Sequence, residues 1–241
     1  MKIIKIDRAP STNTWVGTYE DILPETALVY CFSQTAGRGQ RGNTWESAPG
    51  KNITASLLFH PYNFPASAQF KISEAVALAL VDYLKEKGVS AKVKWPNDIY
   101  VDDKKICGIL VEHVVTGKNI TRTIAGFGLN LNQKKFLSKA PNPVSLTQIT
   151  GKEYDIKQEV SEITELLKKR ISDIKNDSLH DEFLSNLWRY DNEYHKFHDK
   201  LKNERLLAKI HNVAPDGILT LTTDSGEKRD YAFKEIEFIL E

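Results

Sequence analysis

Two runs of aliphatic, β-branched and aromatic residues, 26–33 (Thr-Ala-Leu-Val-Tyr-Cys-Phe-Ser) and 52–60 (Asn-Ile-Thr-Ala-Ser-Leu-Leu-Phe-His), bracket a segment rich in glycine and arginine. Runs of that length and make-up read as buried strands. The segment between them is Gly37-Arg38-Gly39-Gln40-Arg41-Gly42-Asn43-Thr44-Trp45. A fold that buries both runs holds this loop at its two ends, which favours binding over a loose linker. Glycine lets main chain lie close against a ligand. Arginine brings planar, permanently charged donors that match carboxylate and phosphate oxygens. The loop is therefore suited to closing over an anionic small molecule. The competing reading is a solvent-exposed basic turn.

The rest of the chain supplies elements for a layered α+β fold. Residues 66–87 space Phe70, Ile72, Val76, Leu80, Val81 and Leu84 at roughly helical intervals, with Gly88 as the stop. Residues 91–101 read as strand, turn and strand around Trp95-Pro96. Residues 105–115 and 120–131 read as two further strands, and Gly117-Lys118-Asn119 between them signals a hairpin. After the Pro141/Pro143 loop the character changes. Residues 156–175 place Val160, Ile163, Leu166, Leu167, Ile171 and Ile174 on one helical face, and a second helix is expected over 178–190. From about 195 the chain becomes short strands, at 205–210, 217–222, 231–233 and 236–240. Turn signals at Pro215-Asp216-Gly217 and Asp224-Ser225-Gly226 punctuate them. This tail reads as a small antiparallel, barrel-like module.

Lys94-Trp95-Pro96-Asn97-Asp98 is the second strong signal. Proline fixes its own φ and restricts the residue before it, so Lys94 projects a point charge from a fixed base. Such a lysine can neutralise a carboxylate or a transferred phosphoryl group. Asn97 and Asp98 offer an amide and a carboxylate beside it, or Asp98 serves the turn by accepting backbone N–H bonds. Ser11-Thr12-Asn13 either caps a helix or surrounds a neutral polar head group, as Gln34 could. Gly126-Phe127-Gly128-Leu129-Asn130 is a strand interrupted by glycine, which marks close approach by a ligand or another backbone. The six histidines are scattered, and no P-loop, Rossmann fingerprint or nucleophile elbow occurs.

Charge and cysteine content exclude several classes. With 33 basic and 32 acidic residues the net charge is +1, so nucleic-acid binding driven by bulk charge is unsupported. Cys31 and Cys107 make no CxxC pair, and their apolar settings favour buried thiols in a reducing compartment. No run approaches the ~20 apolar residues of a spanning helix, and the N-terminal run is too short for a signal peptide. The expectation is a cytoplasmic protein without membrane contact.

Taken together, Ser11-Thr12-Asn13, Gln34 through Gly42, Trp45, Lys94 through Asp98, Lys105 through Glu112 and Gly126 through Asn130 resemble the biotin protein ligases in order and spacing. The resemblance is close from residue 10 to about 132; the tail is similar only in outline to that family's small SH3-like domain. It implies a mixed β-sheet flanked by helices, of the class II synthetase-like kind, over 1–192, and a small SH3-like β-barrel over 193–241. It implies a two-step reaction: biotin and ATP form biotinyl-5′-adenylate, and a lysine of a biotin carboxyl carrier domain then takes the biotinyl group. Magnesium is implied with the nucleotide, its ligands unassigned. Biotin would be held by Ser11, Thr12, Asn13, Gln34, Gly37, Arg38, Gly39, Gln40, Trp45, Lys94 and Gly108. ATP would be held by Arg38, Arg41, Lys94, Asn97, Asp98 and Asn130. Lys94, Arg38 and Arg41 would carry the chemistry.

Two departures matter. Family members often carry Gly-Arg-Gly-Arg, where this chain has Gln40, which bears on retention of the adenylate; Arg41 stands one residue on. Some members also carry an N-terminal winged helix and repress transcription. Ser11 already belongs to the catalytic motif, so a form without a DNA-binding domain, and no operator binding, is expected. A homodimer is left open. The rival readings are a lipoate or octanoate ligase, which needs an apolar tunnel, and a non-catalytic biotin or adenylate sensor.

Overall fold

The computed structural model describes residues 1–137 and 142–240, with the main chain alone at Arg41. Strand β1 (Lys2–Ala9) runs parallel to β2 (Ala27–Gln34), and helix α1 (Thr12–Tyr19) makes the crossover between them. β3 (Ile53–Phe59) returns antiparallel to β2. The two-residue β4 (Phe64–Pro65) leads into α2 (Gln69–Glu86). Then come β5 (Lys92–Lys94), β6 (Asp98–Val101) and the long hairpin of β7 (Lys104–Thr116) and β8 (Asn119–Leu129). These form one mixed sheet in the order β1-β2-β3-β8-β7-β6-β5, with β4 beside β8. Every residue of β3 is buried, which is why that strand reads as an unbroken apolar run rather than an alternating one.

Three helices follow: α3 (Leu146–Thr150), α4 (Ile156–Ser172) and α5 (Ser178–Ser185). Twelve of the eighteen residues of α2 are buried. That helix is packed by α4 and α5 as well as by the sheet, so its apolar residues spread around it instead of forming one stripe. The second sheet is antiparallel. It contains β9 (His195–Asp199), β10 (Glu204–Val213), β11 (Leu219–Thr223), β12 (Lys228–Tyr231) and β13 (Ile236–Phe238), in the order β12-β11-β10-β9-β13. The mixed sheet flanked by helices is as expected, and an antiparallel sheet follows it.

Several boundaries differ from the sequence expectation. The helix expected from 66 begins at Gln69, after a 3₁₀ turn at Ala66–Ala68. The helix expected over 178–190 stops at Ser185. Val93 N–H donates to the Asn186 carbonyl and the Trp188 N–H donates to the Val93 carbonyl, each at 2.8 Å, so the chain leaves the helix to run beside β5. The strand expected at 231–233 lies at Lys228–Tyr231, because the turn at Asp224–Gly226 leads straight into pairing of Lys228 with Thr222. β1, β9 and α3 carried no sequence expectation. Pro141 lies outside the described residues.

Candidate active site

A cleft of about 260 Å³ opens between the carboxyl end of β2, the glycine-rich loop, the Lys94–Asp98 turn and the second sheet. Ser11, Thr12, Asn13, Gln34, Arg38, Gly39, Gln40, Trp45, Lys94, Asn97, Asp98 and Gly108 all line it. Residues separated by almost a hundred positions thus meet in one place.

One wall is polar and closely hydrogen-bonded. Ser11 occupies the position before α1, yet its side chain makes no capping bond. Gln34 Oε1 accepts the Thr12 main-chain N–H at 3.0 Å. Asn13 donates from Nδ2 to the Leu110 carbonyl at 3.1 Å and to Glu112 Oε2 at 2.7 Å. The capping reading of Ser11-Thr12-Asn13 is therefore set aside: these side chains serve the sheet and the cleft.

The floor is bare main chain. Gly108 of β7 and Gly128 of β8 stand opposite each other in register, and the Trp45 indole lies against both. A Cβ at Gly128 would come within 2.3 Å of Trp45 Nε1, and one at Gly126 within 2.1 Å of Asn13 Oδ1. These positions exclude a side chain by close approach. Gly37 is packed similarly, beneath the Trp45 carbonyl; it is buried beside the cleft and does not line it.

Cations gather at the other end. The Lys94 ammonium sits 5.1 Å from the ring centroids of both Tyr100 and Phe238. Among the described residues it has no ion-pair or hydrogen-bond partner. Burial pulls its pKa down from the ordinary 10.5; Asp98 opposes the shift and Lys105 adds to it. A desolvated, unpaired cation in a cleft is a candidate functional group with a physical reason behind it. Lys105 pairs with Asp98 at 2.7 Å. Arg38 Nη2 reaches both Glu112 oxygens, at 3.1 and 2.9 Å.

Two residues expected at the ATP make hydrogen bonds within the protein. Asn97 Nδ2 donates to the Ile109 carbonyl at 2.7 Å while the Ile109 N–H donates back to the Asn97 carbonyl at 2.8 Å, clamping the turn to β7. Asn130 is buried, donates to the Val144 carbonyl at 3.1 Å, and is not among the cleft-lining residues. The side chain of Arg41 lies outside the described residues. Sequence reasoning gave no role to Glu112, Lys105 or Ser56, and missed Lys200, Lys234 and Phe238, which reach the cleft from the second sheet. Lys234 Nζ donates to the Gln40 carbonyl at 3.2 Å. Among the described residues no three His, Cys, Asp or Glu side chains cluster to hold a metal ion, and no helix is long and apolar enough to cross a membrane.

The model of the biotin/lipoate A/B protein ligase family matches residues 5–130, just over half of the chain, and the chain belongs to that family. Among curated relatives, the bifunctional ligase/repressor BirA of Bacillus subtilis is 28% identical over 220 residues, spanning 87% of this chain and 65% of that protein. The chain thus covers slightly less than two thirds of that relative's length. The biotin–[acetyl-CoA-carboxylase] ligase of Paracoccus denitrificans is 35% identical over 127 residues, 52% of each chain. Among solved structures, the biotin protein ligase of Aquifex aeolicus, in complex with biotin and ATP, superposes with a TM-score of 0.79 at 21% identity, covering 100% of this chain and 99% of that one. That likeness is one of fold.

Proposed function

We propose that the chain is an ATP-dependent ligase that activates biotin as biotinyl-5′-adenylate and transfers the biotinyl group to a lysine of a biotin carboxyl carrier domain. One observation carries this: a single cleft has a neutral hydrogen-bonding wall at Thr12, Asn13 and Gln34 and an unpaired, desolvated ammonium at Lys94. Biotin has the matching two ends, a cyclic urea and a carboxylate. A lipoate or octanoate tail has no polar ring for that wall to satisfy, and buried polar groups left unpaired disfavour such a ligand.

Bringing a carboxylate to an α-phosphate places two anions in contact, so the reaction needs positioning and cations more than a nucleophilic side chain. Lys94 would neutralise the carboxylate and the phosphoryl oxygens as they meet. Arg38 would leave Glu112 for a phosphoryl oxygen, exchanging one carboxylate-like partner for another. Arg41 belongs to the same loop and the same role. Trp45 would cover the aliphatic chain of biotin, and Ser11 and Gln34 would face its ring. Asp98 would hold Lys105 beside the nucleotide. We assign 1–192 to the catalytic part and 193–241 to a small C-terminal domain that adds Lys200 and Lys234 to the cleft rim. Magnesium would enter with the nucleotide phosphates, which supply oxygen ligands of their own.

Transfer of labelled biotin to a purified carrier domain, with ATP and magnesium, tests the reading. The expected result is transfer by wild type and a loss of about a hundredfold or more in Lys94→Ala. Biotin binding without adenylate formation or transfer would replace the ligase with a sensor.

A further inference from the structure

A second cavity, of about 330 Å³, lies between β1, β2 and the first turn of α4, and it shares no lining residue with the cleft. Tyr30 of β2 lines it and is 6% exposed. Among the described residues the Tyr30 hydroxyl has no hydrogen-bond partner, and the atom is not sealed off from solvent space, so it opens on the cavity. Burial and the charge of Asp155 raise its pKa above the ordinary 10.0, which keeps the phenol protonated, a donor, at neutral pH.

The other polar groups around the cavity are donors as well. The first N–H groups of a helix have no partner within it. In α4 the Asp155 side chain takes only the third of them, that of Gln158, at 2.8 Å. Those of Ile156 and Lys157, both lining the cavity, are left over. Lys5 and Lys157 stand exposed at the rim, and among the described residues neither has an ion-pair partner. Asp155 is the one carboxylate on the lining, and it already serves the helix. A cation has little to hold it here, whereas an anion meets a hydroxyl, a helix N-terminus and two ammonium groups.

The remaining surface is apolar. Phe32, Tyr154 and Ile156 supply it, and the volume is that of a small organic ligand. Phe32 and Gly50 form the side nearest the glycine-rich segment. There the Gly50 N–H donates to the Phe32 carbonyl at 2.9 Å, where that segment leaves the sheet and returns to it.

We propose that this cavity is a second binding site, for a small carboxylate with an apolar body, its carboxylate held by the Tyr30 hydroxyl, the first turn of α4, Lys5 and Lys157. The inference does not rest on the biotin reading.

The test is a fluorine NMR titration of the purified protein with para-fluorobenzoate, and with para-fluorobenzamide as the uncharged control. Binding of the benzoate is expected at millimolar concentration or below, with the amide at least about tenfold weaker. Tyr30→Phe, which keeps the ring, should raise the Kd by about tenfold. The double variant Lys5→Glu, Lys157→Glu should abolish binding, and Lys94→Met, in the cleft, should leave it unchanged. Absence of binding, equal binding of the amide, or binding that is lost in Lys94→Met and kept in Tyr30→Phe overturns the site. Inorganic phosphate that displaces the benzoate at a lower concentration than hexanoate does overturns the carboxylate class. Should Tyr30→Phe fail to fold, the two lysines are on the surface, and undiminished binding in their double variant overturns the proposal on its own.

Discussion

The indole N–H of Trp95 donates to the main-chain carbonyl of Gly217, 3.0 Å away in a buried setting. That bond ties the turn carrying Lys94 to the loop between β10 and β11 of the second sheet. Trp95 also packs edge-on against Phe233, with centroids 5.3 Å apart. Gly217 itself has a φ of +93°, and a Cβ there would lie 2.8 Å from the Phe70 ring. Trp95→Phe keeps an aromatic ring and removes the donor. The expected cost is about 1–3 kcal/mol from the carbonyl left unsatisfied, read by urea unfolding. A cost below about 0.5 kcal/mol would falsify the claim that the bond matters.

Lys94→Met is expected to stabilise the empty protein while removing activity. Methionine keeps the contact with Tyr100 and Phe238 and removes a charge carried in a desolvated site. A gain of about 1 kcal/mol corresponds to a rise in Tm of about 2–4 °C. The pH dependence has a definite sign. The folded pKa of Lys94 lies below the ordinary 10.5, so the folded state loses this proton first. Stability contributed by the group therefore increases as pH climbs through the folded value toward 10.5. The Met variant lacks that increase, and a Tm difference independent of pH in the alkaline range would count against the assignment.

Arg38→Ala separates activity from stability. The pair with Glu112 is about half exposed, with side-chain exposures of 45% and 40%. Such pairs contribute about 0–1 kcal/mol, so melting should hardly change. Adenylate formation should drop by about tenfold to a hundredfold if Arg38 meets the phosphoryl group. A variant that melts much lower and keeps its turnover would show the opposite division of labour.

Glu74 of α2 is fully buried, with His180 Nδ1 2.6 Å from its Oε1. Burial raises its pKa above the ordinary 4.5, and the contact with His180 only partly offsets this. The folded state therefore holds the proton more tightly than the unfolded chain. The stability contributed by Glu74 is greatest at low pH and is lost as pH rises from 4.5 through the raised value. Denaturant melts of wild type and Glu74→Gln between pH 4.5 and 8 should diverge in favour of Gln as pH rises. Parallel curves would place the raised pKa in doubt.

Much of this was legible in local sequence. The two apolar runs around Gly37–Trp45, the Trp95-Pro96 turn and the hairpin at Gly117 carry their signals within a few residues, and each appears where expected. β1 was not legible. Its residues alternate with lysine and aspartate, and only parallel pairing with β2 makes it a strand. The partner of Arg38 stands 74 positions away, and Lys234 lies 194 positions from Gln40. No periodicity spans such distances. The bond from Asn130 to the Val144 carbonyl was not legible either, because its partner lies across a loop that local sequence does not fold.

The bare floor of the cleft leaves its history little freedom. At Gly108, Gly126 and Gly128 every amino-acid replacement adds atoms. Mutation there can only narrow the space or push Trp45 and Asn13 aside. Any lineage that came to accept a bulkier ligand would have had to change the walls, at the loop, the Lys94 turn or the second sheet, and leave the floor alone. The three glycines thus make the cleft a ratchet, open to contraction at its base and to widening only from its sides.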